Sequence, residues 1–164
     1  MQYDKWTYGT DNELEGLEPF STYTIYVTAS THAGNGTRAA YATTTKQTVP
    51  GPVANVTAHS ITAHNITFEW EEPACGQQHG VILGYHYMLN ISEVIVHEGT
   101  TSSDETIAMF DDLDGCTLYR FKVRAWTSEG NGTFDRIVNA TTGVSGKYYI
   151  PMSLLASLLH ATII

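Results

Sequence analysis

Leu113-Asp114-Gly115-Cys116-Thr117-Leu118-Tyr119-Arg120-Phe121-Lys122-Val123-Arg124-Ala125 leads through Trp126-Thr127-Ser128-Glu129 into Gly130-Asn131-Gly132-Thr133. This stretch decides the fold. From Tyr119 onward, Tyr119, Phe121, Val123 and Ala125 place an apolar side chain at every second position, the period of a strand with one buried face. Gly-Asn-Gly then signals a hairpin. The same pattern occurs 96 positions earlier, where Leu17, Tyr23, Ile25, Val27 and Ala29 precede Gly34-Asn35-Gly36-Thr37. A returning strand follows each time, ending in Ala42-Thr43-Thr44 and in Ala140-Thr141-Thr142. Gly-Asn-Gly-Thr is therefore expected at the tip of one hairpin in two copies of one domain.

Val49-Pro50-Gly51-Pro52-Val53 separates the copies, and two prolines around a glycine cannot sit inside a central strand. After it come further alternating runs: Ile66, Phe68 and Trp70, then Tyr85, Tyr87 and Leu89, then Val94 and Val96, then Ile107 and Phe110. About seven short strands with turn signals and no helical period read as an all-β, immunoglobulin-like antiparallel sandwich.

The order of these signatures resembles the fibronectin type III family. Pro50 to Val56 resembles its opening strand, Trp70 followed by Pro73 its core tryptophan, Val81 to Leu89 its third strand, and Leu113 to Ala125 its tyrosine-corner strand. Gly115 replaces the usual proline, which should loosen the turn without changing the fold. The resemblance implies a partial copy over residues 1–46 (last strands only), a complete copy over 47–143, and an apolar tail over 144–164 outside any domain. Residues 1–30 lack a basic start followed by an apolar run, so a chain of this kind is expected to be a piece of a longer product. In the complete copy Trp70, Tyr85, Tyr87, Leu113, Tyr119, Phe121 and Val123 are expected in the core. Trp70 alone should bury on the order of 200 Å², worth roughly 5 kcal/mol. The Tyr119 hydroxyl should bond a backbone group just upstream. Trp126 is out of phase with this set and should show one face at the surface, where Arg124 could stack on it.

Six of the seven asparagines stand in Asn-X-Ser/Thr: Asn35, Asn55, Asn65, Asn90, Asn131 and Asn139. Ser and Thr make up roughly a fifth of the chain, so about one or two such sequons would arise by chance. The six read as glycosylation sites and place the chain in the secretory pathway. The net charge of −9 argues against nucleic acid and against polyanions, which need a basic patch.

No cofactor motif is present. Seven histidines invite a metal reading, but neither His79 with His86 nor His59 with His64 shares a strand face, because both spacings are odd. Asp111 to Gly115 is acidic, yet calcium needs six or more oxygens, and an acidic turn beside a strand is usually a turn. Arg-Gly-Asp, carried by some family members in the hairpin, is absent.

Trp70 to Gly76, with Gly84-Tyr85-His86-Tyr87, is similar to ectodomain repeats of receptor-type tyrosine phosphatases. The phosphatase signature is a cysteine with an arginine six residues on; here those positions hold Val81 and Lys122. The resemblance thus implies a non-catalytic interaction or spacer module at the cell surface, part of a longer membrane protein. Its partners would be other surface proteins and neighbouring domains of its own kind. The alternative is the ectodomain of a receptor phosphatase. Tyr148 to Ile164 is apolar but interrupted by Pro151 and His160, and short for a span of about 20 residues. It also lacks the polar spacer of a lipid-anchor signal. Cys75 is expected at the entry end of the sandwich and Cys116 at the far end. One strand separates these ends by roughly 20 Å, whereas a disulfide needs Cα atoms within about 7 Å. No disulfide is expected within the monomer.

Overall fold

The computed structural model describes residues 5–144. The apolar tail beyond Val144 lies outside the described residues. Four short strands come first: β1 (Thr22–Val27), β2 (Ser30–Thr31), β3 (Gly34–Asn35) and β4 (Ala39–Thr44). β1 pairs antiparallel with β4, and β2 with β3, as one long hairpin. Tyr23, Ile25 and Val27 share a face with their partners Thr43, Tyr41 and Ala39. That face is apolar yet open, with Tyr41 68% and Val27 63% exposed.

Eight strands follow: β5 (Ala54–Ile61), β6 (Ile66–Glu71), β7 (Gly84–Ile91), β8 (Val94–Ser102), β9 (Ile107–Phe110), β10 (Leu118–Thr127), β11 (Gly130–Asn131) and β12 (Ile137–Thr141). One sheet has the order β5-β6-β9; the other has the order β11-β10-β7-β8, with β12 also on β10. All pairings are antiparallel. The core lies between the sheets, where the alternating faces of β6 and β10 meet. Ile66, Phe68 and Trp70 face Tyr119, Phe121, Val123 and Ala125, each at most 2% exposed. Phe68 stacks on Phe121 at 4.2 Å between centroids, and Trp70 meets Tyr85 edge-on at 5.5 Å. Leu113 is buried, while Tyr87 is only half-buried, packing against the core beside Phe110. Burial, and then the charge of Glu72, push the Tyr85 phenol above its ordinary pKa.

The hairpin differs from the sequence expectation. Thr127 pairs with Gly130, so the chain reverses at Ser128 and Glu129, and Gly130-Asn131 already belongs to the returning strand. The glycines have separate tasks. Gly130 and Gly34 sit at φ +128° and +133°, a region that side chains disfavour. Gly132 donates its N–H to Ala125 O at 2.9 Å, as Gly36 does to Ala29 O at 2.8 Å. A Cβ on Gly132 would lie 2.6 Å from the Pro50 carbonyl oxygen, so the interdomain linker can touch the hairpin only because this residue has none.

The turn before the tyrosine strand repeats almost atom for atom. Tyr119 Oη accepts the Asp114 N–H at 2.9 Å, and Tyr23 Oη accepts the Glu18 N–H at 2.8 Å. Thr142 Oγ1 donates to Asp114 O at 2.6 Å, and Thr45 Oγ1 to Glu18 O at 2.6 Å. Cys116 and Phe20, at equivalent positions, both have left-handed backbones, φ +52° and +47°. Gly115 in place of a proline leaves this network intact. Tyr119→Phe should cost about 1–2 kcal/mol, because it strands a part-buried N–H. Urea denaturation of the whole chain, with an unchanged slope, is the measurement that checks it.

Candidate functional site

The outer face of the β7–β8–β10–β12 sheet is defined by register. Arg120, Lys122, Arg124 and Trp126 alternate along β10 away from the core. Residues directly opposite share that face: Asn90, Met88 and His86 on β7, Asn139 on β12 and Asn131 on β11. Three of the six sequon asparagines therefore lie on one face.

Their exposure differs. Asn131 and Asn139 are exposed. Asn90 is 7% exposed, and its buried Oδ1 has no hydrogen-bond partner. Strand alternation places Asn90 away from the core, but the fold closes over it and leaves little surface for a glycan. Asn35, on β3, is exposed. Asn55 is exposed and donates from Nδ2 to Glu71 Oε2 at 2.7 Å, with φ +44° at an irregularity of β5. Asn65 is exposed and donates from Nδ2 to Asp111 Oδ1 at 2.6 Å. A glycosylated amide nitrogen keeps one hydrogen, so either bond can survive modification.

Composition hides a basic stripe on this same face. Arg120, Lys122, Arg124 and Arg136 are all the Lys and Arg of residues 47–143. The stripe is largely answered locally. Arg120 pairs with Glu93 at 3.2 Å. Arg124 donates to His86 Nδ1 at 3.1 Å through Nη2, and His86 Nε2 meets Glu98 Oε1 at 2.7 Å. A neutral His86 carrying its proton on Nε2 satisfies both neighbours. Arg124 stacks on Phe134 at 4.4 Å, not on the half-buried Trp126. Arg38 likewise stacks on Tyr26 at 5.1 Å in the first copy, so each returning hairpin is bridged by a cation on a ring. The sequence reading missed Phe134. Its one signal was its position 96 after Arg38, with cation and ring exchanged between strands.

Three further histidines are tied elsewhere: His59 to Glu69 at 3.5 Å, His64 to Leu113 O, and His79 to Val49 O. Among the described residues no three His, Cys, Asp or Glu side chains converge as metal ligands. No helix among them is long and apolar enough to cross a membrane.

Cys75 lies in a 3-10 turn at the pole where the linker enters, near the Gly51 N–H···O Gln77 bond. Cys116 lies at the opposite pole, its N–H on Gly143 O. Both thiols are exposed and free. Iodoacetamide should label both in the unreduced chain; a mass shift that appears only after reduction would refute this geometry.

At the junction, Thr48 N–H bonds His79 O at 2.9 Å, Val81 N–H bonds Gln47 Oε1 at 2.8 Å, and Thr127 Oγ1 donates to Thr48 O at 3.0 Å. A cavity of about 290 Å³ beside the linker is lined by Phe20 from the first copy and by Cys75 and His79 from the second.

Residues 51–141 match the model of the fibronectin type III domain, and the chain belongs to that family. It is 34% identical over 129 residues to rat phosphatidylinositol phosphatase PTPRQ, covering 77% of this chain and 5% of that protein. It is 30% identical over 153 residues to zebrafish receptor-type tyrosine-protein phosphatase F, covering 82% and 8%. It is 33% identical over 128 residues to human cell adhesion molecule DSCAM, covering 77% and 6%. The chain thus spans less than a tenth of the length of these relatives. In fold it is similar to domains d3–d4 of the rat CD45 extracellular region, with TM-score 0.68 and 19% identity over 87% of this chain and 75% of that one.

Proposed function

We propose that this chain is a non-catalytic spacer and protein-interaction module of the extracellular part of a longer membrane protein, a receptor or adhesion molecule. Its partners are other surface proteins and neighbouring fibronectin type III domains, not nucleic acid. The observation that carries the reading is that five of six sequon asparagines are exposed on a fold shared with receptor phosphatases and adhesion molecules. A linker tied to the second domain by hydrogen bonds at Gln47, Thr48, Val49 and Gly51 suits a semi-rigid spacer.

The test is expression behind a supplied signal peptide in a glycosylating host, followed by glycosidase release and mass spectrometry. Asn131 and Asn65 should be converted to Asp, and Asn90 should remain unmodified. A secreted chain with bare Asn131 and Asn65 would overturn the reading.

The second reading is the ectodomain of a receptor-type phosphatase, favoured by the similarity to PTPRQ and phosphatase F. Genomic sequence downstream, read for a membrane span and a cysteine with an arginine six residues on, separates the two.

A further inference from the structure

β8 closes one edge of the larger sheet and β9 one edge of the smaller. The two edges lie on the same side of the sandwich. The His97 ring is 5.4 Å from Phe110, and Thr101 Oγ1 donates to Glu105 O at 2.7 Å. This side differs from the rest of the domain in three respects. Residues 91–117 contain no asparagine, and so no sequon of their own; Asn65 reaches the stretch at Asp111, just past the end of β9. They contain Glu93, Glu98, Asp104, Glu105, Asp111, Asp112 and Asp114, and no lysine or arginine. Large apolar side chains nonetheless stand in solvent, with Val94 66% and Met109 70% exposed, and Ile95, Val96 and Ile107 also exposed. The opposite side, where β5 and β11–β12 end the sheets, carries Asn55, Asn131 and Asn139.

An edge strand presents a row of unpaired N–H and C=O groups, and natural proteins guard such edges with lysine, proline, short length or cover. β8 is nine residues long and has neither lysine nor proline. Its one irregularity is a shift of register beside Leu89 and Asn90. We propose that the β8 edge accepts an extended segment of a partner protein as an added strand, and that this segment alternates apolar and basic residues. Backbone hydrogen bonds would supply affinity, and Ile95, on the face opposite Val94, would meet its apolar side chains. Glu93 and Glu98 already meet Arg120 and His86, so it is Asp104 and Glu105, with no lysine or arginine in residues 91–117, that call for positive charge opposite them. A second copy of this chain is disfavoured, since its own residues 91–117 would bring seven carboxylates and no lysine or arginine against the same acidic side. The proposal rests on reading the chain as an interaction module and names the surface used.

The test uses the whole chain, labelled with nitrogen-15, and a soluble peptide of the length of β8 that alternates lysine with valine. Two control peptides replace lysine with glutamate, or place proline at the centre. The lysine peptide should slow exchange of alternate amides in Val94–Ser102 by about tenfold, and the controls should leave them unchanged. Ile95→Lys, at an exposed site, should abolish the protection while keeping the melting temperature. Four results would overturn the proposal: equal binding of the glutamate peptide, protection centred on β5 or β12, no protection at millimolar peptide, or a chain dimer in sedimentation that Ile95→Lys dissolves. Each is separate from a failure of the module reading, which would show as absent glycans on a secreted chain.

Discussion

Trp70→Ala should lower the stability of the complete domain by about 3–5 kcal/mol, a large share of what a domain of this size possesses. Trp70 is 1% exposed and forms the contact between three aromatic rings, with Tyr85 at 5.5 Å and Phe121 at 5.9 Å. Alanine removes the indole and leaves a cavity that the stacked Phe68 and Phe121 cannot collapse into without losing their own contact. Trp70→Phe should cost much less. The indole Nε1 is buried without a hydrogen-bond partner, so its removal relieves a desolvated N–H while a ring still fills most of the space. Urea titration followed by tyrosine fluorescence measures both variants; equal losses would show that the N–H matters and the volume does not.

Gly84→Ala should cost about 2–3 kcal/mol, unusual for the addition of one methyl group. A Cβ on Gly84 would collide with the Thr101 carbonyl oxygen on β8 and approach Trp126 Nε1 at 2.9 Å. The first obstacle is backbone and cannot swing away, so β7 and β8 must separate locally. Gly99→Ala, in the same strand pair, meets only the Tyr87 ring and hydroxyl. Tyr87 is half-buried and can turn, so this variant should cost less than half as much. The comparison is made by urea midpoints, with amide exchange along Gly84–Ser102 reporting whether β8 has loosened.

The period-two runs made the strands legible, because a strand that buries one face writes its burial directly into alternate residues. Trp70, Tyr119 and Phe121 could be placed from sequence for that reason, and the repeat supplied the turn around Tyr119. Side-chain pairing across strands was less legible. Arg124 and Phe134 are ten positions apart and meet only because β10 and the return segment fold back on each other. Asn90 was read only as one of six equivalent sequons, because a sequon does not encode burial, and at 7% exposure it has little surface for a glycan. The location of the hairpin tip was misjudged because glycine signals both a turn and a close approach; Gly132 serves the second purpose, toward Pro50. The stripe Arg120–Lys122–Arg124 was hidden by a net charge that sums over both sheets.

The linker enters the complete domain at the Gly51–Gln77 pole, and the chain leaves at the Cys116–Gly143 pole. Tension applied along a row of such domains would therefore run parallel to the strands. β5 would be drawn against β6, and β12 against β10, with each ladder of hydrogen bonds sheared as a set and not peeled one rung at a time. Rupture of a set requires several bonds to break together, so the domain would bear load well beyond what its folding free energy alone suggests. The same Pro50 contact with Gly132 anchors the point where that load enters.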